Sequence, residues 1–402
     1  MQTLDDYREI VGDKVISDLV RLSRRLYGLK VLHINSTYYG GGVAEMLYTL
    51  IPLLNDIGIA ADWRIMRGTS DFFTITKKFH NAIQGDRINL TDAKKYIYVQ
   101  TNQDFSSYCK IDADCVIIHD PQPLPMIRFY QKRQPWIWRC HVDLSHPNKE
   151  LWEYLKGFIL RYDRVIVSDK KYVKEDLPID YSIIHPAIDP LSSKNKDIPP
   201  ALISKKLKKY GIPTDKPIIA QISRFDKWKD TENVIEVFKL VKKKADCRLV
   251  LCGSMASDDP EGAILYEKMI KKAKHFIENK NIIFTTIDDN ILVNALQRTS
   301  AVIIQKSIRE GFGLTVSEAL WKKTPVVASN VGGIPLQIID GQTGYIVDPY
   351  DLETCAERII NILQNPMASK DMGSKGKELV RQKFLITRHL YNDLKLLNDI
   401  FG

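Results

Sequence analysis

The stretch Lys30–Leu47, KVLHINSTYYGGGVAEML, decides the fold of the first half of the chain. An apolar run of strand length comes first, a polar loop with three glycines follows, and a helical pattern closes the stretch. Pro217–Ile235, PIIAQISRFDKWKDTENVI, opens the second half in the same order. Because these apolar runs do not alternate with polar residues, they predict strands of parallel sheets that helices cover on both faces.

Similar apolar runs recur in two blocks and alternate with helical patterns. The expected strands are Lys30–Asn35, Asp62–Met66, Tyr96–Val99, Cys115–His119, Trp136–Cys140, Arg164–Val167, Ser182–His185, Pro217–Ser223, Arg248–Gly253, Asn281–Phe284, Ala301–Gln305, Pro325–Ser329 and Gly344–Val347. The 402 residues have room for two such domains. The fold class predicted is α/β, with two Rossmann-like, doubly wound parallel-sheet domains.

The domain boundary is expected in a polar, proline-containing segment, residues 185–201, HPAIDPLSSKNKDIPPA. We place an N-terminal, acceptor-side domain at 1–193 and a C-terminal, donor-binding domain at 194–382. The amphipathic segment Lys383–Gly402 is expected to cross back to the first domain. Open α/β sheets bind ligands at the carboxyl ends of their strands, so a cleft between two facing domains would hold the site.

The charge balance raises the question of an anionic partner. The chain has 58 Lys and Arg against 49 Asp and Glu, a net charge of +9. Residues 201–250 alone hold 13 basic and 6 acidic side chains, and few aromatic residues are interleaved with them. This pattern is typical of a lysine-rich helix surface, and no nucleic-acid partner is expected.

The remaining composition bears on compartment and metals. The first residues carry acids and lack a basic start followed by an apolar run, which argues against a signal peptide. No apolar window is long enough to span a membrane. The six cysteines form no C-x-x-C pair and sit in apolar runs, which predicts buried thiols in a cytoplasmic protein. The histidines show no metal-binding spacing, so no metal site is predicted.

Two loops that follow strands are suited to bind phosphate. Ser36–Glu45 places three glycines before a helix, so that its backbone can approach an anion closely. Ser223–Asp230, SRFDKWKD, carries Arg224 and Lys229 just after a strand. A guanidinium and an ammonium side by side suit a departing diphosphate.

A third loop, Ser307–Glu318, SIREGFGLTVSE, leads from a strand into a helix near Leu314. Its glycines allow close backbone approach, and the amides of Leu314, Thr315 and Val316 would point at an anion. Carboxylates repel phosphate, so Glu310 and Glu318 are assigned to hydroxyl groups of a sugar and of a ribose.

The fourth loop, Trp136–Asn148, WIWRCHVDLSHPN, places His141 after a buried strand, and we expect this histidine to face the site. The run His119–Pro125, HDPQPLP, ends another strand and is expected to shape an acceptor pocket. Asp120 and Asp143 are placed on this acceptor side. A nicotinamide-dependent oxidoreductase stays open as an alternative, because Asp62 lies where a dinucleotide fold has its ribose acid, although the glycine loop is not G-x-G-x-x-G.

Taken together, these loops resemble those of the GT-B-fold retaining glycosyltransferases of family GT4. The likeness spans nearly the whole chain and rests on the glutamate pair, the Arg–Lys pair, the glycine loop and the cleft histidine. It implies donor binding by the following residues: Gly41, Gly42, Arg224, Lys229, Glu310, Gly311, Phe312, Gly313, Leu314, Thr315 and Glu318. It also implies catalytic contributions from His141, Arg224, Lys229 and Glu310.

Within this family, the stretches HINSTYYGGGVAEML, PWIWRCHVDLSHPN and DDPEG resemble the trehalose-forming branch. The resemblance implies glucose transfer from UDP- or ADP-glucose to free glucose, reversibly and with retention, giving α,α-trehalose. Another hexosyltransferase of the same fold, of the sucrose, sucrose-phosphate or glycogen type, stays open. One departure is Asp230, where many members have glycine, and it calls the geometry of that turn into question.

The resemblance also bears on cofactors, partners and mechanism. It implies no tightly bound cofactor and no metal needed for the chemistry, with Mg²⁺ at most assisting. The partners expected are a nucleotide sugar and a free sugar, with a homodimer left open and no membrane. No carboxylate stands out as a nucleophile, so front-face attack is favoured, in which a leaving phosphate oxygen takes the proton of the incoming hydroxyl. The nucleobase would lie near Gly253–Met255 and Thr285–Asp288.

Overall fold

The computed structural model describes residues 2–38, 41–253, 260–286 and 288–402. The chain divides into two compact units. The first contains the N-terminal residues up to Ala187 together with Ile386–Gly402, and the second is Ile188–Leu385. The boundaries between the units therefore fall at Ala187 and Leu385, whereas the sequence predicts domain ends at 193 and 382.

The first unit contains a parallel sheet of six strands in the order β2-β1-β3-β4-β5-β6. Its strands are β1 Lys30–Asn35, β2 Ala60–Ile65, β3 Cys115–His119, β4 Trp136–Arg139, β5 Arg164–Val167 and β6 Asp180–Ile183. Every residue of β3 and β4 is buried, which matches apolar runs covered on both faces.

The second unit contains another parallel sheet of six strands, in the order β12-β11-β10-β7-β8-β9. Its strands are β7 Ile218–Ile222, β8 Arg248–Cys252, β9 Ile282–Thr285, β10 Val302–Gln305, β11 Val326–Ser329 and β12 Tyr345–Val347. The two sheets confirm the α/β fold class that the sequence predicts.

Helices alternate with the strands in both units. The α-helices are α1 Arg8–Val11, α2 Asp13–Ser23, α3 Gly42–Asp56, α4 Ser70–Ile83, α5 Asp92–Tyr108, α6 Lys149–Ile159, α7 Pro200–Lys209, α8 Thr231–Lys242, α9 Pro260–Glu278, α10 Asn290–Thr299, α11 Leu314–Trp321, α12 Leu352–Gln364, α13 Pro366–Lys383 and α14 Ile386–Phe401. The last helix belongs to the first unit, where it contacts α2 and α3. Leu390, Leu394 and Leu397 form its buried stripe.

One expected strand is wrong. Tyr96–Val99 lies within α5, which Thr91 caps by accepting a hydrogen bond from the amide of Lys94. The aromatic, β-branched run suggested a strand, but the residues buried here, Tyr98 and Phe105, recur with helical spacing. Tertiary packing along this face outweighs the local β propensity.

The structure also bears on compartment. Each of the six cysteines is buried and free, as the sequence predicts. No helix in the described part of the chain is both long enough and apolar enough to cross a bilayer.

Candidate functional site

The predicted diphosphate-binding pair of the second unit follows β7, but its two cations have different surroundings. The Arg224 side chain is 48% exposed and lies 3.6 Å from Asp226 Oδ2. The Lys229 side chain is mostly buried, and its Nζ lies 2.5 Å from Glu310 Oε2. The structure therefore joins a predicted phosphate ligand to a predicted sugar ligand in one ion pair.

Glu310 is held by neighbouring polar side chains as well. Its Oε2 accepts hydrogen bonds from Gln305 Nε2 at 3.1 Å and from Ser307 Oγ at 3.2 Å. Gln305 ends β10 and Ser307 follows it, so the carboxylate is fixed by the strand that carries the loop. A side chain held in this way is positioned before a ligand arrives.

The turn at Asp230 is a finding that the sequence left in doubt. Asp230 adopts the left-handed conformation, with φ of 50° and ψ of 37°, which is the region that glycine favours. Its carboxylate accepts a hydrogen bond from Lys306 Nζ at 2.6 Å, and the Lys306 side chain is 0% exposed. Aspartate therefore keeps the glycine-type turn and supplies the partner of a buried cation.

The glycine turn before α11 is built as the sequence predicts. Gly313 caps the helix in the left-handed region, with φ of 83°, and a Cβ there would meet Glu310 Cγ at 3.2 Å. The expectation for Val316 is wrong, because its amide donates to the Gly313 carbonyl and does not face an anion. The amide of Ser317 donates to Gln337. Within the described residues, the amides of Leu314 and Thr315 have no acceptor, so they suit an anion at the helix N-terminus.

The flanking residues of this turn have structural partners. The Phe312 ring is buried and packs against Phe384, with ring centroids 5.6 Å apart. The Phe312 carbonyl accepts a hydrogen bond from Gln337 Nε2 at 2.6 Å. Gly311 accepts at its carbonyl from the amide of Gly333. Packing of the Phe312 ring and these two carbonyl hydrogen bonds thus hold the loop in place.

Glu318 lies in a buried cluster of the second unit. It is 5% exposed, accepts a hydrogen bond from Gln297 Nε2 at 3.2 Å, and lies 3.6 Å from Lys194 Nζ. Burial alone would raise the pKa of Glu318, but the charges of Lys194 and Lys322 outweigh it and lower that pKa. The carboxylate is therefore ionised and able to accept hydrogen bonds from hydroxyl groups.

In the first unit, Tyr39 and Gly40 of the glycine loop lie outside the described residues, and the loop continues in the structure at Gly41. Gly41 has φ of 129° and caps α3, whose first residue is Gly42. Among the described residues, a Cβ on Gly41 would meet nothing within 4 Å. The backbone angle, and not a lack of space, is therefore what requires glycine at this position.

His141 follows β4 and is half-buried. Its Nε2 lies 3.0 Å from His119 Nδ1, and His119 Nε2 lies 3.0 Å from His33 Nδ1. Sequence reasoning selected His141 but missed His33 and His119 as its partners. The available signal was their position, because all three lie on or just after neighbouring strands of one sheet.

The two aspartates that the sequence predicts on the acceptor side support the loop that carries His141. Asp120 Oδ1 accepts a hydrogen bond from the backbone amide of His141 at 2.8 Å. Burial raises the pKa of Asp120 to about 7. Asp143 is buried, and its Oδ1 accepts from the amide of Ser145 at 2.8 Å. Both side chains thus hold backbone in this structure.

The predicted nucleobase region is described only in part, since Ser254, Met255 and Ile287 lie outside the described residues. Gly253 is packed so tightly that a Cβ would lie 2.3 Å from the Ser223 carbonyl oxygen. Asp258 and Asp259 of the DDPEG stretch also lie outside the described residues. Across the described residues, no group of three or more histidine, cysteine, aspartate or glutamate side chains is arranged to hold a metal ion.

Two family models match the chain. Residues 33–174 match the N-terminal domain of trehalose synthase, and residues 203–379 match glycosyl transferases group 1. The trehalose synthase of Thermococcus litoralis is 46% identical over 98% of this chain and 97% of its own length. The chain belongs to the trehalose synthase family of glycosyltransferases. The trehalose synthase of Rubrobacter xylanophilus is 42% identical over all of this chain and 98% of its own length.

Membership in this family excludes the nicotinamide-dependent alternative. Asp62, its expected ribose acid, instead lies within β2 and pairs with Arg64, whose Nε is 3.2 Å from Asp62 Oδ2.

Solved structures show the same fold at low identity. A sucrose-phosphate synthase from Thermosynechococcus elongatus has a TM-score of 0.72 at 17% identity, covering 93% of this chain and 99% of that one. An Escherichia coli structure titled trehalose-6-phosphate bound with UDP-2-fluoro glucose has a TM-score of 0.74 at 13% identity, covering 92% and 99%.

Proposed function

We propose that this glycosyltransferase moves glucose from a nucleoside-diphosphate glucose to free glucose, with retention, and so forms α,α-trehalose reversibly. The observation that carries the proposal is the Lys229–Glu310 pair beside the N-terminus of α11. It sets a cation and a hydroxyl-binding carboxylate within one hydrogen bond of each other, as a sugar joined to a diphosphate requires. The identity with trehalose synthases over the whole chain supports the choice of product.

The leaving diphosphate would be bound by Arg224, Lys229 and the amides of Leu314 and Thr315. Arg224 is half-exposed, so its guanidinium can turn toward an incoming phosphate. Lys229 is already fixed by Glu310, so its charge needs little reorganisation as the diphosphate departs. Such preorganised charge is the form in which electrostatic stabilisation of a leaving group is strongest.

The carboxylates would read the donor's hydroxyl groups. Glu310 would accept hydrogen bonds from the glucose, and Glu318 from the ribose, because each is an anion at a place where a phosphate would be repelled. The donor proposed is UDP- or ADP-glucose. Gly41 and Gly42 would approach the donor through their backbone.

The acceptor side is assigned to the first unit, with His141 in contact with the reacting glucose and Asp120 and Asp143 supporting its loop. We assign no carboxylate nucleophile. The incoming hydroxyl would attack from the face on which the diphosphate leaves, and a departing phosphate oxygen would take its proton. Arg224 and Lys229 would balance the charge on that oxygen, so the chemistry would need no tightly bound cofactor and no metal.

The compartment proposed is the cytoplasm, which the six free, buried thiols support.

An acceptor panel tests the proposal. Purified protein is incubated with UDP-glucose or ADP-glucose plus glucose, glucose 6-phosphate, fructose or fructose 6-phosphate, and products are identified by NMR. We expect α,α-trehalose from glucose. When trehalose and the nucleoside diphosphate are supplied instead, we expect the nucleoside-diphosphate glucose and free glucose in equal amounts. A product formed only with fructose or a sugar phosphate would replace the proposal with the other hexosyltransferase alternative.

A further inference from the structure

The three histidines His33, His119 and His141, here called the histidine row, cross the first sheet diagonally. In the register of the sheet His33 lies opposite Ile117, and His119 lies opposite Arg139. Side chains two residues apart on a strand share a face, so all three imidazoles lie on one face. Each step moves one strand across and two residues toward the carboxyl ends, which is the diagonal spacing at which long side chains meet.

The row has a buried inner end and an accessible outer end. His33 and His119 are fully buried, whereas His141 is half-buried. The rings stack in pairs, with centroids 5.3 Å apart for both neighbouring pairs. Burial lowers the pKa of all three imidazoles, so each is neutral and carries a single ring proton. Each 3.0 Å contact then has one donor and one acceptor, and the choice at one link fixes the next.

Arg139, which lies opposite His119 in the sheet register and so on the same face as the row, belongs to a buried group of charges. Asp393 of α14 lies 3.6 Å from Arg139 Nη1 and 3.4 Å from His389 Nε2. His389 Nδ1 lies 2.7 Å from the His185 carbonyl oxygen, which can only accept, so this nitrogen carries the proton of His389. Burial lowers the pKa of His389, which leaves its Nε2 as a second acceptor facing the carboxylate.

The carboxylate of Asp393 is therefore short of hydrogen-bond donors. Both of its oxygens are buried and make no hydrogen bond within the described residues, and His33 Nε2 and Arg139 Nη2 are in the same condition. After the dominant effect of burial, Asp393 is the largest influence on the pKa of His33, ahead of Arg139, and it raises that pKa. A proton on His33 Nε2 would meet this need, whereas a lone pair there would add another acceptor.

We propose that Asp393 sets the tautomers of the histidine row so that His141 offers a bare Nδ1 as a hydrogen-bond acceptor. With its proton on Nε2, directed at Asp393 directly or through an internal water, His33 accepts at Nδ1 from His119 Nε2–H. His119 then accepts at Nδ1 from His141 Nε2–H. Within the described residues, His141 Nδ1 makes no hydrogen bond. The inference rests on the proposed function in one respect, since it assigns His141 to accept a hydroxyl of the reacting glucose.

Histidine nitrogen NMR on the full chain, without substrate, reads these tautomers directly. Long-range ¹H–¹⁵N spectra separate protonated from lone-pair ring nitrogens, and single substitutions among the eight histidines assign them. We expect the row to carry its protons on Nε2 and lone pairs on Nδ1. Protons on Nδ1 of His141 and His119 would overturn the proposal, because that polarity would make Arg139 Nη2 the donor at the inner end.

Asp393→Asn tests the source of the polarity. We expect the folded variant to lose the single tautomer at His141 and show both forms or the reversed one; an unchanged His141 signal would overturn the assignment to Asp393. If this variant does not fold, His33→Gln cuts the row while the Arg139–Asp393 pair stays, and it should have the same effect. His146→Gln, an exposed change in the same loop, should leave the row unaltered.

Activity is measured separately, so the two proposals can fail separately. The polarity described above in a protein that transfers no glucose would refute the proposed function and retain the tautomer assignment. Trehalose formation by a protein whose His141 is protonated on Nδ1 would refute the tautomer assignment and retain the proposed function. His119 acts through His141 and is therefore a positioning residue. Its replacement, His119→Leu, should lower kcat at least tenfold with a small change in the donor KM.

Discussion

Lys229 Nζ and Glu310 Oε2 lie 2.5 Å apart, which links the loop after β7 to the loop after β10 within the second unit. These strands are neighbours in the sheet, so residues 81 positions apart in sequence share one site. The pair would act on both parts of a nucleotide sugar, the cation on the diphosphate and the carboxylate on the sugar. Replacing either partner should therefore lower the transfer rate, through the diphosphate for Lys229 and through the sugar for Glu310.

Lys229→Ala should lower the transfer rate by roughly 10²–10³-fold, the usual cost of removing a preorganised group that stabilises developing charge. Glu310→Gln should also lower the rate, because a neutral amide accepts weaker hydrogen bonds from the glucose. Initial rates with UDP- or ADP-glucose measure both. Lys227→Ala is the matched control. Lys227 lies two residues before Lys229, and its exposed side chain covers the Trp228 ring, so near-native activity is expected. Near-native turnover by Lys229→Ala would remove that residue from the diphosphate site.

Asp230→Gly should destabilise the protein although glycine suits the left-handed turn. Relief of backbone strain contributes on the order of 1 kcal/mol, whereas loss of the carboxylate leaves the buried ammonium of Lys306 without its ion pair, at a cost of about 3–5 kcal/mol. Urea unfolding should show the lower midpoint. The double variant Asp230→Gly with Lys306→Met should recover most of the loss, and no recovery would mean that the ion pair is not the cause.

This turn also shows what the sequence could and could not predict. The strands of the two sheets follow from short runs bounded by polar loops, and the signal is strongest for inner strands such as β3 and β4, whose residues are all buried. The role of Asp230 depends on Lys306, which lies 76 residues away, and the histidine row depends on strand order and register. Such partners are set by tertiary structure, so sequence reasoning found His141 and left His33 and His119 unassigned.

Glu318→Gln should raise the donor KM with little change in kcat. The carboxylate is assigned to a ribose hydroxyl away from the bond that breaks, so its hydrogen bond favours substrate and transition state equally. A hydrogen bond to a charged group contributes about 1.5–3 kcal/mol, or roughly 10–100-fold in KM. Steady-state kinetics against donor concentration measure this, with Glu357→Gln on the exposed face of α12 as control. A fall in kcat at saturating donor would contradict the ribose assignment.

The buried imidazole of His33 should couple stability to pH. Burial lowers the pKa of His33 from 6.5 to about 4, so between these values the unfolded chain binds a proton that the folded chain does not. The contribution of His33 to stability is therefore complete above pH 6.5 and falls as the pH drops toward 4, by about 1.4 kcal/mol per pH unit. Burial acts in the opposite direction on Asp120, whose pKa is raised to about 7. The total dependence is thus a sum of opposing parts.

A comparison of variants isolates the histidine. The difference in unfolding free energy between the native chain and His33→Gln should shrink as the pH falls from 6.5 to 4, because only the native chain has this imidazole to protonate on unfolding. Urea unfolding at a series of pH values measures the difference. A constant difference for His33→Gln would show that His33 protonates equally in both states. Since a neutral His33 is what lets its two nitrogens differ as donor and acceptor, that result would also leave the histidine row without a fixed polarity.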